Sequence, residues 1–228
     1  MKLFLLSLFI IPFSYVLSAQ SRSFEAPDYE VIEKAIADEE SNLFYDSLMT
    51  RFQQGDSTLS LEEKRHLYYG YIFQDDYSPY GRSLMNDTLR SLLQKEKLDS
   101  LELRTVIRLT NPNLAEHPFD LKALNYQLFA YDELGDDEAY WAARTKYFSI
   151  FDALFSTGDG ASKETAIYVI ETAHEYAVLN VLGFEFGGKQ SLIEHYDYLT
   201  LRENEYDLEG LYFDITPCLN HLNSMFDD

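Results

Sequence analysis

Asp120-Leu121-Lys122-Ala123-Leu124-Asn125-Tyr126-Gln127-Leu128-Phe129-Ala130-Tyr131-Asp132-Glu133-Leu134-Gly135-Asp136-Asp137-Glu138-Ala139 is two helix signals back to back. Asp120 opens the first, because a carboxylate accepts one of the backbone N–H groups that a helix start leaves without a partner. Leu121, Leu124, Leu128 and Tyr131 then recur at the spacing of one helical face. Gly135 follows the last of them, where a left-handed residue ends a helix at least cost. Asp136 caps a second segment through Ala139, Ala142, Ala143, Tyr147, Ile150, Phe151 and Leu154. Its alanines allow close packing. One such pair cannot bury its own apolar faces, so neighbours must stack on it.

The neighbours are there. Upstream, 42–52 carries Leu43, Phe44, Leu48 and Phe52 at helical spacing and stops at Gly55. Ser60-Leu61-Glu62-Glu63 is a capping box for a helix through Leu67, Tyr68, Tyr71 and Ile72, which ends before Ser78-Pro79. Asp87-Thr88-Leu89 starts a short helix, and Asp99-Ser100-Leu101-Glu102 is a second capping box leading through Leu103, Val106, Ile107 and Leu109. Beyond Gly158-Asp159-Gly160 the texture changes. Ala166-Ile167-Tyr168-Val169-Ile170 is β-branched and aromatic, 176–182 reads as a turn or two of helix, and 196–201 and 208–215 alternate in twos around a polar turn at 203–207. Pro217 begins a last short helix. The expected class is α+β, mainly α. Stacked helix pairs over 20–158 are followed by a small antiparallel sheet and a C-terminal helix over 159–228. No linker rich in Pro, Gly or Ser divides them, so one shared core is expected.

Composition narrows the role. The 228 residues hold 18 Lys+Arg against 39 Asp+Glu, a formal net charge of −21. Such a field repels nucleic acid and anionic membrane surfaces. One cysteine allows no internal disulfide and no thiolate zinc cluster. Residues 1–19 read as a secretory signal peptide: Lys2, an apolar run interrupted by Pro12, and small residues at Ser18-Ala19. The run is short of the roughly twenty apolar residues that span a bilayer. No cysteine sits at the cleavage point, so no lipoprotein anchor is expected. The expectation is export to the periplasm or exterior, with no stable membrane anchor after cleavage.

Residues 120–155 resemble one tetratricopeptide-type repeat in their first-helix apolar positions, the Leu134-Gly135-Asp136 turn and the alanines of the second helix. The repeat's closing proline is absent, and its small residues sit about one place out of register. The chain after the signal also resembles an uncharacterised family of exported Bacteroidetes proteins. That likeness is carried by 66–71 with 77–81, by 180–188, and by Tyr212-Phe213-Asp214-Ile215-Thr216-Pro217-Cys218-Leu219-Asn220. It implies an envelope setting and a shared architecture, and assigns no catalytic residue.

Gly183-Phe184-Glu185-Phe186-Gly187-Gly188-Lys189-Gln190 nearly spells a phosphate loop, but Gln190 replaces the magnesium-holding hydroxyl and Glu185 would repel phosphate. A turn between strands accounts for its glycines. Cys218 and His221 share a helix face, yet an acidic, apolar setting disfavours a thiolate, so Cys218 reads as core. His174-Glu175 lacks the second histidine of a zinc motif. The acidic runs lack the calcium-loop pattern and read as solvated faces and helix starts. Asp46-Ser47-Leu48, Asp56-Ser57-Thr58, Asp87-Thr88-Leu89 and Asp99-Ser100-Leu101 look like acceptor tripeptides for O-glycosylation.

The densest remaining patch gives the expected contact residues: Tyr69, Gln74, Tyr77, Tyr80 and Arg82, since tyrosine joins apolar area to a polar handle. The expectation is a non-catalytic binding or scaffold protein with no cofactor and no metal, meeting a protein or glycan partner in the envelope. The rival is a hydrolase of envelope or dietary polymer using acids such as Asp214 and Glu185 across a cleft.

Overall fold

The computed structural model describes residues 24–80 and 87–225. The signal-peptide reading at 1–19 and the contact residue Arg82 lie outside the described residues. The helices are α1 (Tyr29–Ala37), α2 (Tyr45–Gln53), α3 (Leu61–Gly70) with a 3-10 turn at Tyr71–Phe73, α4 (Asp87–Leu93), α5 (Ser100–Glu116), α6 (Leu121–Leu134) and α7 (Asp137–Phe155). Then come β1 (Ile167–Tyr168), α8 (Ala173–Val181), β2 (Phe186–Ile193), β3 (Tyr196–Leu201), β4 (Gly210–Asp214) and α9 (Thr216–Ser224). The class is α+β, mainly α. Among the described residues no helix is long and apolar enough to cross a membrane.

Local chemistry sets the helix starts. Both capping boxes form: Ser60 with Glu63, and Asp99 with Glu102. Asp120 and Asp136 each accept the N–H three residues on, from Ala123 and Ala139. Gly135 ends α6 at φ 68°. The chain reverses there, and α6 packs on both α5 and α7. Helix α5 runs past Pro112 to Glu116, further than its apolar spacing suggested. Gln127 of α6 braces that stretch by donating to Asn111 Oδ1 at 2.7 Å and Thr110 Oγ1 at 3.2 Å.

The sheet has the order β1-β4-β3-β2. It is antiparallel from β2 through β4, and β1 adds a parallel strand beside β4. The β3–β4 hairpin pairs Tyr196 with Asp214 and Thr200 with Gly210. Asn204 ties its turn, donating to the carbonyls of Arg202 and Leu208. One expectation is corrected. Residues 186–190 lie in β2 and not in a turn. Gly187 and Gly188 sit where the β2–β3 register shifts, and a Cβ on Gly187 would come 2.8 Å from the Leu201 carbonyl oxygen. The turn falls earlier, at Gly183 after α8.

Leu48, Phe52, Tyr68, Phe151 and Leu154 from α2, α3 and α7, and Phe119 from the α5–α6 turn, pack in one buried cluster with Ile167, Ile170, Leu199, Phe213 and Cys218. A smaller cluster, Leu89, Leu92, Leu98, Leu103, Val106 and Ala130, fills the space under α4, α5 and α6.

Candidate functional site

A cavity of about 570 Å³ opens between the start of α6 and α8. Its lining includes Asp120, Asn125 and Tyr126 from the α6 segment and Tyr147 from α7. From the α8 side come Glu171, His174, Tyr176, Ala177 and Asn180. Asp120 is there because it caps α6. Its Oδ1 accepts from Ala123 N at 2.9 Å and its Oδ2 from Asn113 Nδ2 at 2.6 Å.

His174 is buried, and its tautomer follows from its partners. Nε2 lies 2.9 Å from the Phe119 carbonyl oxygen, which can only accept, so Nε2 carries the hydrogen. Nδ1 then accepts from the Tyr68 hydroxyl at 2.7 Å. Burial pushes the imidazole pKa down to about 4, so the ring is neutral near pH 7. Glu171 Oε2 sits 3.7 Å from Nε2 with its side chain 13% exposed. Burial, with Asp120 nearby, raises that carboxyl to about 8. The His174–Glu171 contact is therefore between neutral groups and is no salt bridge.

The next residue on α8 faces the sheet. Glu175 is fully buried. Gln190 donates to Asp197 Oδ2 at 2.5 Å and reaches Glu175 Oε2 at 3.4 Å, while Tyr176 donates to Gln190 Oε1 at 2.8 Å. Burial and the neighbouring Asp197 raise Glu175 to about 9, so it stays protonated near pH 7. Gln190, which fills the hydroxyl position of the near phosphate loop, is thus the strut between α8 and the β2–β3 hairpin.

The expected contact patch is not a groove. Tyr69 is fully buried and donates to the Tyr168 carbonyl oxygen at 3.1 Å, and buried Tyr77 donates to that of Ile170 at 2.8 Å. Both are corrected from contact residues to core pillars. Gln74 is half-buried and folds back on the Gly70 carbonyl. Tyr80, 43% exposed, donates to the Cys218 carbonyl oxygen at 3.2 Å. None of these four lines the cavity.

The rival pair is not assembled either. Asp214 is buried, accepting from Thr216 N at 2.9 Å with His195 Nε2 at 3.4 Å. Exposed Glu185 pairs with Arg202 at 2.6 Å. Cys218 is buried, and burial pushes its thiol to about 12, an inert state. Among the described residues no group of three His, Cys, Asp or Glu is placed to hold a metal ion.

Sequence reasoning missed Glu171 and the three phenols, and took Asp120 only as a helix start. One signal was present: Glu171 follows the apolar run 166–170 directly, and an acid there is drawn toward the interior with it.

No curated protein and no solved structure matches the chain. A family model described as a domain of unknown function, DUF4919, matches residues 30–224, and the chain belongs to that family.

Proposed function

We propose that this member of a family without a known function is an exported, non-catalytic binding protein of the bacterial envelope, whose ligand seats in the cavity between α6 and α8. The cavity itself carries the reading. It is concave, large enough for a small molecule or a chain end, and lined by three phenols, two amides and two acids. Export rests on residues 1–19, and the acidic composition suits a space free of nucleic acid. The succession α5–α6–α7, with its short turn at Gly135, is what a tetratricopeptide-like array would use to hold such a cavity. A partner protein in the envelope would meet α7, where Trp141 is 57% exposed and Arg144 lies 5.2 Å from its ring and 4.6 Å from that of Phe148.

Native mass spectrometry of protein purified from its own envelope tests the reading. A bound small-molecule adduct is expected, and its loss from a folded Ala177→Phe variant, which fills the cavity. A bare mass in both sinks the proposal.

The hydrolase reading draws support from Glu171, an acid protonated near neutral pH beside a carboxylate, the pairing used in glycoside cleavage. Asp120 weighs against it, because each of its oxygens already accepts one hydrogen bond, from Asn113 Nδ2 and Ala123 N, which weakens it as a nucleophile or base while leaving each oxygen one acceptor site.

A further inference from the structure

We infer that the α6–α8 cavity takes an organic ammonium ion, a primary amine or diamine, held by the Glu171 and Asp120 carboxyls and the rings of Tyr126, Tyr147 and Tyr176. The inference rests on the reading of this cavity as a ligand site and names the ligand's chemistry.

Glu171 is the starting point. It lines the cavity with its side chain 13% exposed, and His174 Nε2, 3.7 Å away, already points its hydrogen to the Phe119 carbonyl. The carboxyl therefore keeps its acceptor sites for whatever enters the cavity, and a cation there would supply the donor. The other groups around it do not. Asp120 adds negative charge from the α6 cap, and His174 is neutral. From the core side, burial keeps the Tyr68, Tyr71 and Tyr77 hydroxyls and the Cys218 thiol protonated. His117, at the end of α5, and solvent-exposed Lys122 complete the ionisable lining.

The walls point the same way. Phenol rings attract ammonium groups through their negative faces, and a desolvated cavity strengthens that attraction. The net charge of −21 raises the local concentration of cations around the chain. A metal ion is the poorer occupant. Calcium wants six or more oxygens, and no third His, Cys, Asp or Glu joins this pair to make a metal cluster among the described residues. An ammonium group needs only two or three acceptors.

Bringing a cation to Glu171 favours its ionised form, so binding near pH 7 expels its proton. Calorimetric titration of the whole chain with 1,5-diaminopentane at pH 7, repeated in buffers of different ionisation heat, reads this directly. The diamine is expected to bind with release of about one proton per site, and the neutral isostere 1,5-pentanediol at least about tenfold more weakly. Glu171→Gln, near-isosteric and uncharged, is expected to weaken the diamine by about tenfold or more and to abolish the proton release. If that variant does not fold, Tyr176→Ala at the exposed edge carries the test through a several-fold loss for the diamine and none for the diol. Equal binding of diol and diamine, or diamine binding without proton release, overturns the inference. So does failure of the diamine to bind. If the native adduct described above is present in that case, the cavity remains a binding site of different chemistry; if it is absent too, both readings fall.

Discussion

Replacing Tyr68 by Phe removes one oxygen and strands two groups. His174 Nδ1 loses its donor at 2.7 Å and the Ile170 N–H loses an acceptor at 3.4 Å, both in the buried core. Tyr68→Phe is expected to cost roughly 2 kcal/mol in urea unfolding, since each orphaned buried group costs about 1 kcal/mol or more. A loss near zero would show that the hydroxyl is not the strut described. The buried thiol gives a second expectation: Cys218 stays unreactive toward a thiol reagent until the chain unfolds, and labelling of the native state would contradict its placement. The core role of Cys218 was legible from its apolar neighbours. That of Tyr69 was not, because α3 buries His66, Leu67, Tyr68, Tyr69 and Gly70 in succession. With α1, α2 and α7 packed around it, that helix has no wet side here, so periodicity cannot say which tyrosine faces outward.

At the scale of elements, two glycines with the same left-handed backbone make different demands. Gly135 ends α6 at φ 68°, and a Cβ there would meet nothing within 4 Å. Gly55, after α2, has φ 71°, and its Cβ would fall 2.7 Å from the Cα of Ala142 on α7. Gly135→Ala is expected to cost about 1 kcal/mol, the price of the conformation alone. Gly55→Ala is expected to cost at least about twice that, because a backbone atom must move. Equal melting temperatures for the two variants would contradict the close approach of α2 and α7. The capped helices and the β3–β4 hairpin could be read in advance, since caps and strict alternation are local signals. Strand β2 could not. Most of it is exposed, so Gly187-Gly188-Lys189-Gln190 carries no alternation, and its pairing is supplied by β3.

For the whole molecule, the buried ionisable groups set a pH profile. Glu171 and Glu175 rise from an ordinary 4.5 to about 8 and about 9, so the folded state holds protons that the unfolded chain releases. Their contribution is complete below about pH 4.5 and is lost as pH climbs through 8 and 9. His174 falls from 6.5 to about 4, so its contribution is present above 6.5 and is lost as pH drops toward 4. Between 4.5 and 6.5 two carboxyls outweigh one imidazole. Thermal stability is therefore expected to peak near pH 5 and to decline by roughly a few kcal/mol toward pH 9, and Glu171→Gln with Glu175→Gln should flatten the decline. A maximum at pH 8 or above would refute the assignment.

The same scale explains why the cavity escaped the sequence reading. Asp120 and Tyr147 read only as the cap and the apolar face of two helices, Glu171 belongs to no motif, and only the packing of α6, α7 and α8 brings the three together. The measurement that bears most directly on this account is a crystal structure of the protein purified from its native envelope. Ligand density against Glu171 and Asp120, between Tyr126 and Tyr176, is the result the account requires. A ligand seated elsewhere, with only water between α6 and α8, would contradict it.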